Sequence, residues 1–167
     1  MISIEEFREQ VLKESHSKNI ANAMCEVFDK VSWDSYDCAK NIRIRRNKSS
    51  FDERNPMLLF NVLNEYGEEN MRICITTMLN DDSTKVFHGI SCYSSDFRQL
   101  TSLILSAMSK SFIENNVCSN VLFTASQIES SWYNDTDDII KNSELNHVDR
   151  VIKSKGGCDI RVVTLKK

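Results

Sequence analysis

Apolar residues recur along this chain at two different spacings, and the spacings divide it into helices and strands. Ile20, Met24, Val27, Phe28 and Val31 return every three or four residues. So do Phe97, Leu100, Ile104, Ala107, Met108 and Phe112, with Leu103 and Leu105 broadening that stripe. A period near 3.6 puts each set on one face of a helix. Elsewhere the period falls to two: Ile42 and Ile44 alternate with Arg43 and Arg45, and Met71, Ile73 and Ile75 alternate with Arg72, Cys74 and Thr76. Alternation of that kind marks a strand with one face turned to the core.

Local signals set the boundaries. Ser3 and Glu6 have the spacing of a capping box, and Ile2 with Phe7 fits a hydrophobic staple, so a helix starts near residue 4. The apolar pattern lapses at Ser15-His16-Ser17 and then resumes, which predicts two helices or one bent helix over residues 4–31. After Ile42–Arg45, strands are expected over Met57 to Glu65, Met71 to Thr76 and Lys85 to Tyr93, with turns at Tyr66–Asn70 and Asn80–Ser83. Asp96 and Gln99 form a second capping box for a helix running to about Asn115. Val121–Phe123 reads as a short interior strand, Asp135–Lys155 as mostly helix, with a break near Asn142 as an alternative, stopping at Gly156-Gly157, and Ile160–Leu165 as a last strand. The predicted order is therefore α, four strands, α, β, α, β. Residues 1–167 are expected to form a single α+β domain, with N-terminal helices and a central, mainly antiparallel (mixed) sheet on which helices pack.

Composition narrows the class. Hydrophobic residues at 41% and charged residues at 27% are ordinary for a globular chain and argue against disorder. No apolar run reaches the roughly 18 residues of a membrane span. The first ten residues hold three glutamates and no basic lead before an apolar block, unlike a signal peptide. Six scattered cysteines without a C-x-x-C pair read as buried, reduced thiols, and the expected setting is the cytoplasm. The net charge is only −3 but unevenly spread: residues 40–54 hold six bases and two acids, residues 126–149 six acids and one base. Four glycines in the whole chain leave little material for a glycine-rich phosphate loop, so no cofactor is expected.

Four groups of residues are candidates for chemistry or binding. Cys74, His88 and Cys92 come within reach of one another on a hairpin centred near Asp82, which would set Cys74 opposite Ile90. Zinc takes such ligands, but the spacing matches no finger or knuckle and a slip of one residue scatters the set, so no metal is expected. Neither does the trio carry any local signature of a cysteine nucleophile. Asp135, Asp137 and Asp138 form a carboxylate cluster without the glycine and distal glutamate of a calcium loop, and they sit where a helix begins. Arg43, Arg45 and Arg46 line a strand as a face for nucleic acid or for an acidic partner, although the acidic balance of the chain disfavours nucleic acid. Trp132 and Tyr133, in a polar stretch beside the carboxylates, have the character of interface anchors.

Together these features favour binding over catalysis. The expectation is a non-enzymatic protein-binding domain: a stoichiometric inhibitor such as an immunity protein or antitoxin, capturing a basic, nuclease-type toxin through Trp132, Tyr133, Asp135, Asp137 and Asp138. The alternatives are a small metal-dependent hydrolase, a chaperone or adaptor, and a nucleic-acid-binding domain.

Overall fold

A computed structural model describes residues 2–15, 17–35, 41–47, 57–75, 84–92, 95–127, 133–153 and 155–167. Two helices come first, α1 (Ile4–Ser15) and α2 (Lys18–Lys30). The capping box at the start of α1 is formed: the Ser3 N–H donates to the Glu6 carboxylate at 2.9 Å and the Glu6 N–H donates to the Ser3 hydroxyl at 3.2 Å. The lapse in pattern is a true break, because Ser17 leaves the helical region and its hydroxyl accepts the Ile20 N–H. Phe7 and Val11 of α1 and Ile20, Met24 and Val27 of α2 are buried. Phe7 stacks on Phe28 at 4.7 Å and meets Phe60 edge-on at 6.2 Å, which fixes the helix pair to the sheet.

The sheet has seven strands: β1 (Asn41–Asn47), β2 (Met57–Leu63), β3 (Glu69–Ile75), β4 (Thr84–Cys92), β5 (Asn120–Ser126), β6 (Asn146–Lys153) and β7 (Asp159–Lys166). Their order is β1-β2-β3-β4-β5-β7-β6. β1 to β4 form an antiparallel meander. α3 (Ser95–Glu114) then crosses over, and β5 joins β4 in parallel. Ile42, Ile44, Phe60, Val62, Met71, Ile73, Phe123, Val163 and Leu165 share one buried cluster with α1, α2 and α3, whose contributions include Phe7, Met24, Leu100, Ile104, Met108 and Phe112. The strand alternation and, from Leu100 onward, the α3 stripe therefore point where the sequence predicts, with Leu103, at 39% exposure, on the margin and the Phe97 side chain outside what the structure describes. Among the described residues, no helix is long and apolar enough to cross a membrane.

One expected helix is corrected. Residues 135–155 hold only the short α4 (Thr136–Ser143), after which Glu144 takes a left-handed backbone at φ 57° and the chain enters β6. β6 pairs with β7 in antiparallel register from Asn146↔Lys166 to Lys153↔Asp159. Leu145, Val148, Val151 and Ile152 have helical spacing, but β-branched residues on a strand exposed along its whole length carry no period-two signal either.

Candidate functional site

The sheet divides at its only parallel pair among the described strands. β4 and β5 are in register from Thr84↔Asn120 to Phe87↔Phe123 and no further. Beyond that point β4 stays with β3 as far as Met71↔Cys92, and β5 stays with β7 as far as Ser126↔Ile160. The cause is local. Ile73 faces Gly89 and Arg72 faces Ser91, so Ile90 is an extra residue in β4. Such a bulge bends its strand and increases its twist. Here it lies just past Phe87, where β4 turns away from β5. The strands run parallel, so the opening lies at their C-terminal ends, where a crossover α/β pair takes its ligands.

Three elements meet near this opening. α3 starts a few residues after β4 and brings its positive dipole end with it. In its first turn, Arg98 makes a two-pronged ion pair with Asp135, Nε to Oδ2 at 2.6 Å and Nη2 to Oδ1 at 3.1 Å. That pair holds the single 3-10 turn Tyr133–Asp135, and the start of α4 behind it, against α3. Tyr133 is half-buried and packs on the core, and its carbonyl accepts the Thr136 hydroxyl at 2.9 Å. From β7, Arg161 reaches Asp149 of β6 and Asp137 of α4, the latter at 2.9 Å. Hydrogen bonds, from Asp149 first, raise the pKa of this guanidinium above its ordinary value.

The candidates named from sequence distribute unevenly. Asp135 lies beside the first turn of α3, Tyr133 is in the same 3-10 turn as Asp135, and Trp132 falls outside the described residues. Asp135 holds the N-cap position of α4, yet its carboxylate bonds Arg98 rather than the helix N–H groups. Asp137 pairs with Arg161, and Asp138 is exposed. The three carboxylates thus do not converge. Arg43, Arg45 and Arg46 are exposed on β1, far along the sheet from the opening, and Arg45 lies 3.8 Å from Glu69. The register expected for Cys74 is corrected: it faces His88, not Ile90. The bulge then puts Cys92 in register with Met71. Among the described residues, no three His, Cys, Asp or Glu come together as metal ligands.

Two buried groups lie at the other end of the parallel pair. Lys85, in register with Val121, has its ammonium pKa lowered by burial. Cys118, just before β5, has its thiol pushed up to about 11, with burial outweighing the opposing pull of Lys85. A thiol so held is protonated at neutral pH and is a poor nucleophile. Sequence reasoning missed the opening itself. Its one local sign is Gly89, a glycine inside an otherwise strand-like run, which is the usual mark of a bulge.

No protein-family model matches the sequence, and no curated protein does. Solved structures do match. A spermidine N-acetyltransferase chimera of Vibrio cholerae and human sequences is 8% identical, covers 72% of this chain and 71% of its own, and has a TM-score of 0.44. The N-terminal domain of a ribosomal-protein-alanine acetyltransferase from Clostridium acetobutylicum is 15% identical, with 76% and 92% covered and a TM-score of 0.44. A GNAT-family acetyltransferase from Streptococcus pneumoniae is 12% identical, with 72% of each chain covered and a TM-score of 0.44. The expectation of a non-enzymatic inhibitor, immunity protein or antitoxin is corrected by this finding, since the structures to which the chain is similar are enzymes that transfer acetyl groups.

Proposed function

We propose that this chain is an acyltransferase that moves an acetyl or related acyl group from a thioester donor to an amine, with the donor bound between β4 and β5. The observation that supports the reading is the divergence of those strands beyond Phe87 and Phe123. Two strands that part from a common ladder can admit an extended ligand bearing amides between them, in the manner of strand addition. The apex of the opening falls at Phe87 and Phe123, both fully buried.

The chain fits such a donor through its backbone. The strand edges suit an amide-bearing arm, and the opening N–H groups of α3 suit an anionic group. There is no glycine between Gly89 and Gly156, and Arg98 is engaged by Asp135, so a phosphate-bearing end would rest on α3 alone. The donor supplies an acyl carbon activated by a thiol leaving group. What the chain adds is alignment and exclusion of water at the apex, with the Tyr133 phenol the proton source proposed for the departing thiolate. The buried free thiols Cys25, Cys74 and Cys118 suit a reducing setting such as the cytoplasm.

Titration with acetyl-coenzyme A tests the reading. At a hundredfold excess over its dissociation constant a ligand adds about 2.7 kcal/mol, which for a chain of this size raises the melting temperature by about 5–11 °C. Deleting Ile90 removes the bulge and should abolish that rise with the fold retained. Tyr133→Phe should leave the rise intact and slow acetylation of an amine acceptor. If the melting temperature does not move with donor, the reading fails.

A further inference from the structure

The two edges of the sheet are finished differently. At one end, α1 packs on β1. The side chains of α1 take edge amides of β1: the Ile44 N–H donates to the Gln10 carbonyl oxygen and the Arg46 N–H to the Glu14 carboxylate, both at 3.1 Å. Exposed Arg43, Arg45 and Arg46 add charge to that strand. Covering and charge are the usual defences of a sheet edge against further pairing.

β6, at the other end, carries Asp149, Arg150 and Lys153 but stays open to solvent along its length. All eight of its residues are exposed, among them Val148 at 52%, Val151 at 52% and Ile152 at 45%. Its ladder with β7 has no bulge, and the strand has no proline. A long, regular and partly apolar edge of this kind is a template for another strand.

We propose that β6 pairs with β6 of a second copy of this chain, antiparallel about a two-fold axis perpendicular to the sheet, so that the two sheets become one. The symmetry restricts the register. Rotation about that axis keeps each residue on its own face, and opposed residues must share a face, so the axis passes through a residue and not between two. An axis at Asp149 or Arg150 would set like charges against each other at the centre. An axis at Val148 would leave Val151 and Ile152 outside the pairing. An axis at Val151 sets that valine against its mate, Asp149 opposite Lys153, and Arg150 opposite Ile152, where the arginine stem can cover the apolar side chain. This register turns both charges of opposite sign and the most exposed apolar residues of the strand's second half to use. The ion pair of Asp149 with Arg161 keeps its carboxylate on the same strand face and leaves it lone pairs for Lys153 of the mate.

Sedimentation of the full chain should give twice the monomer mass. Val151→Lys places two like charges on the axis and should return the chain to monomer with an unchanged circular dichroism spectrum and melting behaviour at high dilution. Under mild oxidation, Val151→Cys should form an interchain disulfide that peptide mapping assigns to position 151 in both copies, and Val148→Cys should not crosslink. A wild-type chain that stays monomeric, a dimer that survives Val151→Lys, or a crosslink at position 148 in place of 151 would each overturn the proposal. A monomer would also be the outcome if β6 receives a strand from a different protein.

Discussion

Replacing Ile104 by alanine tests the phase of α3 and the packing of the whole core. Ile104 is fully buried, and Leu100 and Met108, one turn to either side, are equally so. The cluster beneath holds Phe87 and Phe112, whose rings meet edge-on at 5.7 Å. The substitution removes three carbons, and at about 0.8 kcal/mol each the lost transfer energy is about 2.4 kcal/mol. The cavity left behind adds to this at about 24 cal/mol per Å³ not reclaimed by relaxation. Neighbours anchored on both the helix and the sheet cannot collapse fully, so the total should be about 2.5–4.5 kcal/mol, within the range for buried aliphatic truncation. Leu103 is the control. It is one residue away on the same helix, with the same side-chain mass, and is 39% exposed. Leu103→Ala should cost less than half as much. Urea unfolding of the two variants, read by circular dichroism with the slope held common, gives both numbers. Equal losses at 103 and 104 would show that the helix is rotated from the orientation described, and the core assignment would fall with it.

Three further outcomes follow from the groups around the sheet. Asp135→Ala should lower the melting temperature by about 1–4 °C, since its pairing with Arg98 is partly exposed and worth no more than about 1 kcal/mol; a larger loss would mean that the pair anchors more than the 3-10 turn. Because burial raises the Cys118 pKa from 9.0 to about 11, the unfolded chain loses its proton first as pH rises. Stability should be independent of this group below about pH 9 and fall between about 9 and about 11, by about 1 kcal/mol per pH unit; Cys118→Ala should remove that part of the fall, and an unaltered pH profile would refute the burial argument. Chelator should leave the melting temperature unchanged, and a stoichiometric zinc lost with Cys74→Ser would overturn the expectation that this chain holds no metal.

What could be read from the sequence was whatever neighbours along the chain decide. The Ser3 and Glu6 cap, the break at Ser17, the inward Ile42, Ile44, Ile73 and Ile75 and the α3 stripe are all local, and each is found in the structure. β6 was not legible as a strand because an exposed edge lacks the burial that imposes a period of two. The opening in the sheet was illegible for a different reason. It depends on where β4 parts from β5, strands that meet only across α3, and its sole local trace is a glycine that also has blander readings. The acidic stretch was visible as charge, but which arginine each carboxylate would find, Arg98 for Asp135 and Arg161 for Asp137, is a matter of tertiary contact.

The crossover also sets the order in which this fold can assemble. β1, β2 and β3 each pair with the next strand in sequence, so those loops close at small entropic cost and early. The joint of β4 with β5 spans the whole of α3, and β5 takes β7, not β6, as its second neighbour. That makes it a contact of high sequence separation, expected to form only after α3 has docked its apolar stripe. Trimming the side chains of Phe87 or Phe123 should therefore slow refolding if the joint is part of the rate-limiting barrier, whereas trimming Ile42 on β1 should mainly hasten unfolding if that edge closes afterwards. The narrow seam that opens the sheet to a ligand would then also be the place where the chain's commitment to its native topology is timed.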